Sequence, residues 1–251
     1  FSQAGIEVAP WIPPLTAFVI SFFASLGGIS GAVLLLPFQV SVLGYHTPSV
    51  SGTNHLFNIV AIPAGIKRFH RERRLVWPLV LAISIGTLPG AILGVTIRVH
   101  YLPDPGPFKI FAGFVLLLFG LRLVWDLAQC RRKTNTCNEP VSVVIPRSVT
   151  WKRIEFEYSG KHYRISSPAI WAVSLGVGLI GGIYGIGGGA MISPLLVSFF
   201  ALPIHLVAGT ALAATAVTSG VSVMVFYLWS LGSSQPGLMP DWMLGLLFGL
   251  G

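Results

Sequence analysis

Long apolar stretches separated by short polar ones run along almost the whole chain. Stretches that approach or exceed the roughly 20 residues a helix needs to cross a bilayer lie at 50–66, 75–98, 108–125, 168–183 and 204–230, and another begins at 241. A further apolar region, 11–43, is interrupted by glycine. This pattern predicts an all-α polytopic membrane protein. The last stretch, 241–251, ends in mid-pattern, so we expect the final helix to be truncated.

The composition supports the same class. Hydrophobic residues make up 53% of the 251 positions and charged residues only 10%, whereas soluble domains carry about 25% charged residues. A single soluble core could not cover that much apolar surface.

The positive charge is concentrated in two loops. The net charge is +8, and 13 of the 16 Lys and Arg residues fall in the segments 67–74 and 129–167. Basic loops beside apolar spans mark the cytoplasmic side, so both loops are predicted to be cytoplasmic. The same distribution favours contact with anionic lipid headgroups over binding of nucleic acid.

The second basic loop contains further local signals. Residues 153–165, RIEFEYSGKHYRI, alternate polar and apolar positions around Ser159-Gly160, which predicts a small β-hairpin. Cys130 and Cys137 also lie here without a companion His or Cys, a pattern typical of loop thiols. No metal or other cofactor is expected.

An internal repeat divides the chain into two halves. A shift of 157 residues places GISGAVLLLPFQVS (28–41) on GIGGGAMISPLLVS (185–198), and ten of the 33 positions across 28–60 are identical in that register. The domains predicted from it are an N-terminal repeat at 1–128, the basic loop at 129–167 and a C-terminal repeat at 168–251.

The charge pattern favours opposite orientations for the two copies. In copy one the span after the Gly-rich element ends in the basic segment 67–74, whereas its counterpart ends in 230–241, which holds no Lys or Arg. Inversion follows if each copy has three full spans and a re-entrant Gly-rich hairpin, and a parallel repeat of four spans is the alternative. The hairpins are predicted as helix 11–26, break 27–31 and arm 32–43, and as helix 168–183, break 184–189 and arm 190–201.

The Gly-rich breaks are the predicted substrate site. Non-helical backbone within a membrane lies against protein or a water-filled cavity, and inverted repeats with broken helices place ligands where half-helix N-termini meet. Helix N-termini attract anions. The predicted ligands are Gly28, Ser30, Gly31, Thr53, Asn54, Asn58, Gly185, Gly187, Gly188, Gly189 and Thr210. The alternative is that these glycines only let helices pack closely.

Outside the two basic loops, charged residues are predicted near the ends of spans, Arg98 among them, so no mid-span carboxylate suggests a proton relay. His55 is the titratable residue well inside a copy-one span, and it is either a proton-coupling group or a hydrogen-bonded structural histidine.

An intramembrane protease is the enzyme alternative. Residues 28–31 match the GxSG motif of rhomboid-type proteases, and His55 or His205 could pair with Ser30. The repeat places Gly187 opposite Ser30, which favours glycine geometry over a nucleophile, so no enzyme activity is expected.

The motif GIGGGAMISPLL, its degenerate partner GISGAVLLLPFQ and the downstream Gly-Thr pairs resemble the TauE/SafE sulfite exporter family, also called TSUP transporters. The resemblance covers nearly the whole chain. It implies a cytoplasmic-membrane secondary transporter of small sulfur-containing anions such as sulfite, thiosulfate, sulfoacetate and other organosulfonates. Copy one departs from the motif at Ser30 and Ala32, so copy two is expected to contribute more to binding.

The function expected from the sequence is therefore transport of a small sulfur anion by alternating access between the two breaks. An anion channel with the same site and a membrane scaffold acting through its basic loop are the alternatives. The sequence does not indicate the direction of transport, the coupling ion or the oligomeric state.

Overall fold

The computed structural model describes residues 1, 3–26, 30–72, 75–130, 145–150, 153–158, 161–200, 202, 204–232 and 237–251. The predicted ligand Gly28 and the loop residue Cys137 lie outside these residues.

Helices form nearly all of the described chain. Their bounds are α1 Ile12–Leu26, α2 Gly31–Ser41, α3 Ser49–Arg71, α4 Trp77–His100, α5 Pro105–Cys130, α6 Ser167–Tyr184, α7 Gly188–Phe200, α8 Ile204–Gly232 and α9 Trp242–Leu250. The strands β1 Ile145–Thr150, β2 Arg153–Tyr158 and β3 Lys161–Ser166 precede α6. They form an antiparallel sheet in the order β1-β2-β3. Strands β2 and β3 cover the segment where a hairpin is predicted, and β1 adds a third strand.

Four of the described helices are long and apolar enough to cross a membrane: residues 77–100, 105–122, 167–184 and 206–232. They match four of the predicted spans. Large apolar side chains such as Phe22, Leu81, Leu117 and Leu228 are exposed on the outer faces of the bundle. Because large exposed apolar surfaces are unfavourable in water, these faces fit contact with lipid.

Two other predicted spans differ from this simple pattern. Helix α3 has 23 residues but carries a polar run, Ser51 to Asn58, that is completely buried. It packs against α8 on one side and α9 on another, so its side chains face protein and need not be apolar. Helix α9 has nine residues.

Helices α4 and α6 pack backbone against backbone along a row of glycines. A Cβ atom added to Gly90 or Gly94 of α4 would collide with the α6 carbonyls of Leu175 or Leu179. On the facing side, a Cβ on Gly178 of α6 would collide with the Thr87 carbonyl. Small residues spaced by four allow this approach in membranes. The packing interpretation of glycine therefore holds for this interface.

Helices of each half of the chain pack against helices of the other half. Helix α4 packs on α6 of the second half, while α9 of the second half packs on α1 of the first. Helices α3 and α8 pack against each other between these pairs. Each half thus completes its packing with elements of the other half.

The start of α9 is tied to the first half by hydrogen bonds. The Asp241 carboxylate caps the helix by accepting from the Leu244 N–H at 2.9 Å, and it also accepts from the Ala4 N–H at 3.2 Å. The Asp241 N–H donates to the Thr53 hydroxyl at 3.0 Å. A buried carboxylate is stable here because backbone donors surround it.

Candidate functional site

The second Gly-rich segment is a short non-helical turn between α6 and α7. Helix α6 ends at Tyr184, and α7 begins at Gly188. Gly185 and Gly187 have φ of +89° and +72°, a left-handed backbone conformation that L side chains rarely adopt. The two glycines therefore let the chain leave one helix and start the next within three residues.

Side chains of the first half hold the carbonyls of this turn. The Ser51 hydroxyl donates to the Ile183 carbonyl at 2.9 Å, and the Asn58 amide donates to the Ile186 carbonyl at 3.1 Å. The Tyr184 hydroxyl donates to the Val33 carbonyl of α2 at 2.9 Å. Helix α3 thus lies along the turn, with Ser51 and Asn58 two helical turns apart.

Helix α2 begins just after the first Gly-rich segment of the sequence. Helix α1 ends at Leu26, and α2 begins at Gly31 after Ser30, whose backbone is extended (φ −66°, ψ 135°). The Asn54 amide donates to the Ala32 carbonyl at 2.9 Å. An amide from α3 therefore holds backbone at both segments.

A cavity of about 580 Å³ lies between the two segments. Both helix starts contribute to its wall, Ser30 and Gly31 from α2 and Gly189 from α7. The other polar lining residues are Ser21, Asn58, Ser193 and Thr215; the apolar ones are Phe57, Ala61, Ile62, Phe69, Ala208, Ala211 and Leu212. The residues lining the cavity carry hydroxyl and amide groups but no formal charge.

The backbone can make this cavity favourable for negative charge. The first N–H groups of a helix have no intrahelical partner, and the aligned peptide dipoles place roughly half a positive charge at that end. Because α2 and α7 both begin at the wall, two such ends face one space. This arrangement suits a small anion better than a cation.

Four of the predicted ligands line the cavity: Ser30, Gly31, Asn58 and Gly189. Gly187 and Gly188 instead allow close packing. A Cβ on Gly187 would lie 2.6 Å from Thr215 Cγ2, and one on Gly188 would lie 2.7 Å from Thr87 Cγ2. Gly185 serves the turn, and its Cβ would meet the Ser51 backbone.

The remaining predicted ligands have partners within the protein. Thr53 bonds the Tyr45 hydroxyl at 2.9 Å and the Asp241 N–H, and Thr210 donates to the Leu206 carbonyl at 2.9 Å. Asn54 also accepts from Gln39 at 3.4 Å. Burial raises the pKa of Tyr45 to about 12, so the phenol stays neutral at physiological pH. These side chains support the helices around the cavity.

His55 lies in a buried polar contact between α3 and α8. Its Nδ1 is 3.2 Å from the Ser219 hydroxyl, and Nε2 has no partner among the described residues. Nearby, the hydroxyls of Thr87 and Thr218 are 3.0 Å apart. A hydrogen-bonded histidine of this kind is compatible with both roles considered for it.

Sequence reasoning missed Ser21, Ser193 and Thr215. For Thr215 a signal existed, because the 157-residue shift places Asn58 on Thr215. The two residues occupy corresponding positions on α3 and α8, and both line the cavity. Ser21 and Ser193 had no such signal, since their repeat partners are Gly178 and Leu36.

The sequence model of the family described as sulfite exporter TauE/SafE matches residues 14–251. The chain belongs to this family. It is therefore a membrane transporter of the TauE/SafE family, as the motif resemblance predicts.

Two curated relatives come from Bacillus subtilis (strain 168). The probable membrane transporter protein YunE is 24% identical over 213 residues, which cover 80% of this chain and 73% of YunE. The probable membrane transporter protein YjnA is 27% identical over 115 residues, which cover 44% of each chain. No solved structure matches this TauE/SafE chain at a significant level.

Proposed function

We propose that this TauE/SafE transporter carries a small sulfur oxyanion or organosulfonate, of the sulfite, thiosulfate or sulfoacetate type. The substrate binds in the cavity between the starts of α2 and α7. The observation that carries the proposal is the meeting of these two helix N-termini at one 580 Å³ space lined by hydroxyl and amide groups.

The ligand contacts follow from the donors at the wall. Backbone N–H groups near Gly31 and Gly189 donate to the anion's oxygens, and Ser30, Ser193 and Asn58 add side-chain donors. The Thr215 hydroxyl joins them by turning away from the Ala211 carbonyl, to which it donates in this structure. Tetrahedral sulfur oxyanions present several acceptor oxygens in a small volume, which fits donors arriving from four helices. Hydrogen bonds to a charged acceptor are about twice as strong as neutral ones, so the site needs no buried Lys or Arg.

We further propose that the halves are inverted repeats. Rocking of one half against the other would expose the substrate site to the two sides of the membrane in turn. The exchanged packing of α4 on α6 and α9 on α1 supports a pseudo-two-fold relation. Inverted repeats of this kind alternate access around a fixed central site.

We infer that this conformation opens toward the side of the first basic loop. From Asn58 the cavity extends along α3 to Phe69, beside Lys67, Arg68 and Arg71. Under the positive-inside rule that end is cytoplasmic in an inner membrane. Basic residues at the opening would raise the local concentration of anions.

Reconstitution into liposomes tests the proposal. Purified protein is assayed for uptake of radiolabelled thiosulfate, sulfite, a sulfonate and chloride, with and without a pH gradient. A carrier should show counterflow, in which internal unlabelled thiosulfate drives transient accumulation of label. Flux that only follows the electrochemical gradient would support a channel instead, and movement of an unrelated solute with none of the sulfur anions would overturn the substrate class.

A further inference from the structure

The guanidinium of Arg98 is completely buried near the end of α4. The position of Arg98 at the end of a predicted span suggests a side chain that reaches water. In the fold, α4 is packed between other helices, and the connection to α5 covers the side chain. The result is a formal positive charge inside the protein.

This charge has no acidic partner among the described residues. The acid nearest to it in sequence, Asp104, is exposed, and the ion pair found among the described residues joins Arg68 to Glu72. The contacts of Arg98 are neutral ones: Nε donates to the Ser51 hydroxyl at 3.3 Å, Nη1 donates to the Leu102 carbonyl, and the ring of Phe108 lies 3.8 Å from the guanidinium carbon.

One nitrogen of the guanidinium, Nη2, has no hydrogen-bond partner in the described structure. Burial of a cation costs several kcal/mol unless it is paired and fully hydrogen-bonded. The ring of Phe108 and one carbonyl offset part of that cost. A ligand that brings a negative charge and oxygen acceptors would supply what is missing.

Arg98 and the cavity lie on opposite sides of the turn between α6 and α7. Ser51, which contacts Arg98, holds the Ile183 carbonyl at one end of this turn, and Asn58, which lines the cavity, holds the Ile186 carbonyl at the other. Between them, Gly185 lies against the Ser51 backbone. The turn therefore separates the cavity from the buried cation.

We propose that Arg98 is a second anion-binding station, on the side of the turn opposite to the cavity and to the basic loops. A small oxyanion binds there through Nη2 when this side of the protein opens, before it enters the cavity or after it leaves. The proposal rests on anion transport as the function. It adds a charged site, which the neutral cavity lacks.

Transport measured from each side tests this site. Intact bacterial cells expressing the protein take up radiolabelled thiosulfate from the outer side, and inverted vesicles from the same cells take it up from the inner side. Arg98→Met should raise the KM for outer uptake by about tenfold or more, because a hydrogen bond to a charged group is lost. The KM at the inner side should change much less, and Arg98→Lys should retain part of the outer affinity.

A structural role is excluded by measuring stability in parallel. Met has a similar length without the charge, so Arg98→Met should leave the midpoint of thermal unfolding in detergent unchanged or raise it. Lys109→Met is the matched control, since it removes an exposed positive charge near the start of α5, at the same end of the bundle as Arg98, and it should leave the outer KM unchanged.

The possible outcomes separate the two proposals. Wild-type transport with an unchanged outer KM in Arg98→Met would overturn the Arg98 site and leave the transport function standing. Equal loss at both sides together with a lower unfolding midpoint would also overturn it, in favour of a purely structural arginine. If thiosulfate, sulfite and a sulfonate are neither moved nor bound by the wild type, both proposals fail.

Discussion

The side-chain amide of Asn58 donates a 3.1 Å hydrogen bond to the backbone carbonyl of Ile186, 128 residues away. This bond joins the two halves at the turn between α6 and α7, and the same Asn58 side chain lines the cavity. A change at this residue should therefore affect both the shape of the turn and the affinity for substrate.

Asn58→Ala should lower both stability and transport. The Ile186 carbonyl loses its partner, which costs about 1–3 kcal/mol for a buried group, and the cavity loses a donor. Thermal unfolding in detergent and the KM for thiosulfate measure the two effects. Asn54→Ala is the control, since Asn54 holds the Ala32 carbonyl without lining the cavity. It should affect mainly stability, and an equal rise in KM for both variants would contradict the assignment of Asn58.

Thr215→Val and Thr210→Val form a matched pair on α8. Each hydroxyl donates to the carbonyl four residues earlier, Ala211 or Leu206, at 2.8 and 2.9 Å. Thr215 lines the cavity and Thr210 does not. When substrate binds, the Thr215 hydroxyl turns from the Ala211 carbonyl to the anion. We therefore expect Thr215→Val to raise the KM for the transported anion roughly tenfold, as loss of a hydrogen bond to a charged group predicts, while Thr210→Val stays near wild type. The opposite ranking would place the substrate elsewhere.

Gly189→Ala should disturb the start of α7. The added Cβ would collide with the Ala211 carbonyl and the Thr215 hydroxyl, so α7 must move away from α8 at the cavity wall. We expect a loss of about 1–3 kcal/mol in stability and reduced transport. In Gly176→Ala, on the exposed face of α6, the new methyl group meets nothing within 4 Å. That control should be neutral or slightly more stable, and equal behaviour of the two variants would show that the start of α7 is not tightly packed.

Asp241→Ala should destabilise the contact between α9 and the first half. It removes the cap on Leu244 and the acceptor for the Ala4 N–H; loss of a cap alone costs about 1 kcal/mol. Asp241→Asn keeps a side-chain oxygen and should retain most of the stability. Thermal unfolding of the three proteins measures this order. A midpoint for Asp241→Ala equal to wild type would mean that α9 is held by its apolar face alone.

The protein's class, its family and the position of most helices could be predicted from the amino-acid sequence. Apolar length alone locates the spans at 75–98 and 168–183, because the bilayer imposes that length on any helix that crosses it. Gly185 and Gly187 allowed a helix break to be predicted here, and their positive φ is a backbone conformation that is rare for other residues. Where burial is against protein, composition was a weaker guide, as the polar run from Ser51 to Asn58 in α3 shows.

Which polar groups line the cavity and which stabilise the fold depends on how the helices pack. Thr53 and Thr210 have the same residue type and repeat position, yet neither lines the cavity, whereas Thr215 does. Nor could position along the chain show that Arg98 is buried, because its environment comes from α3 and from the start of α5, which only packing brings together. Local sequence sets backbone geometry and membrane insertion, but which side of a helix meets a cavity depends on its neighbours in space.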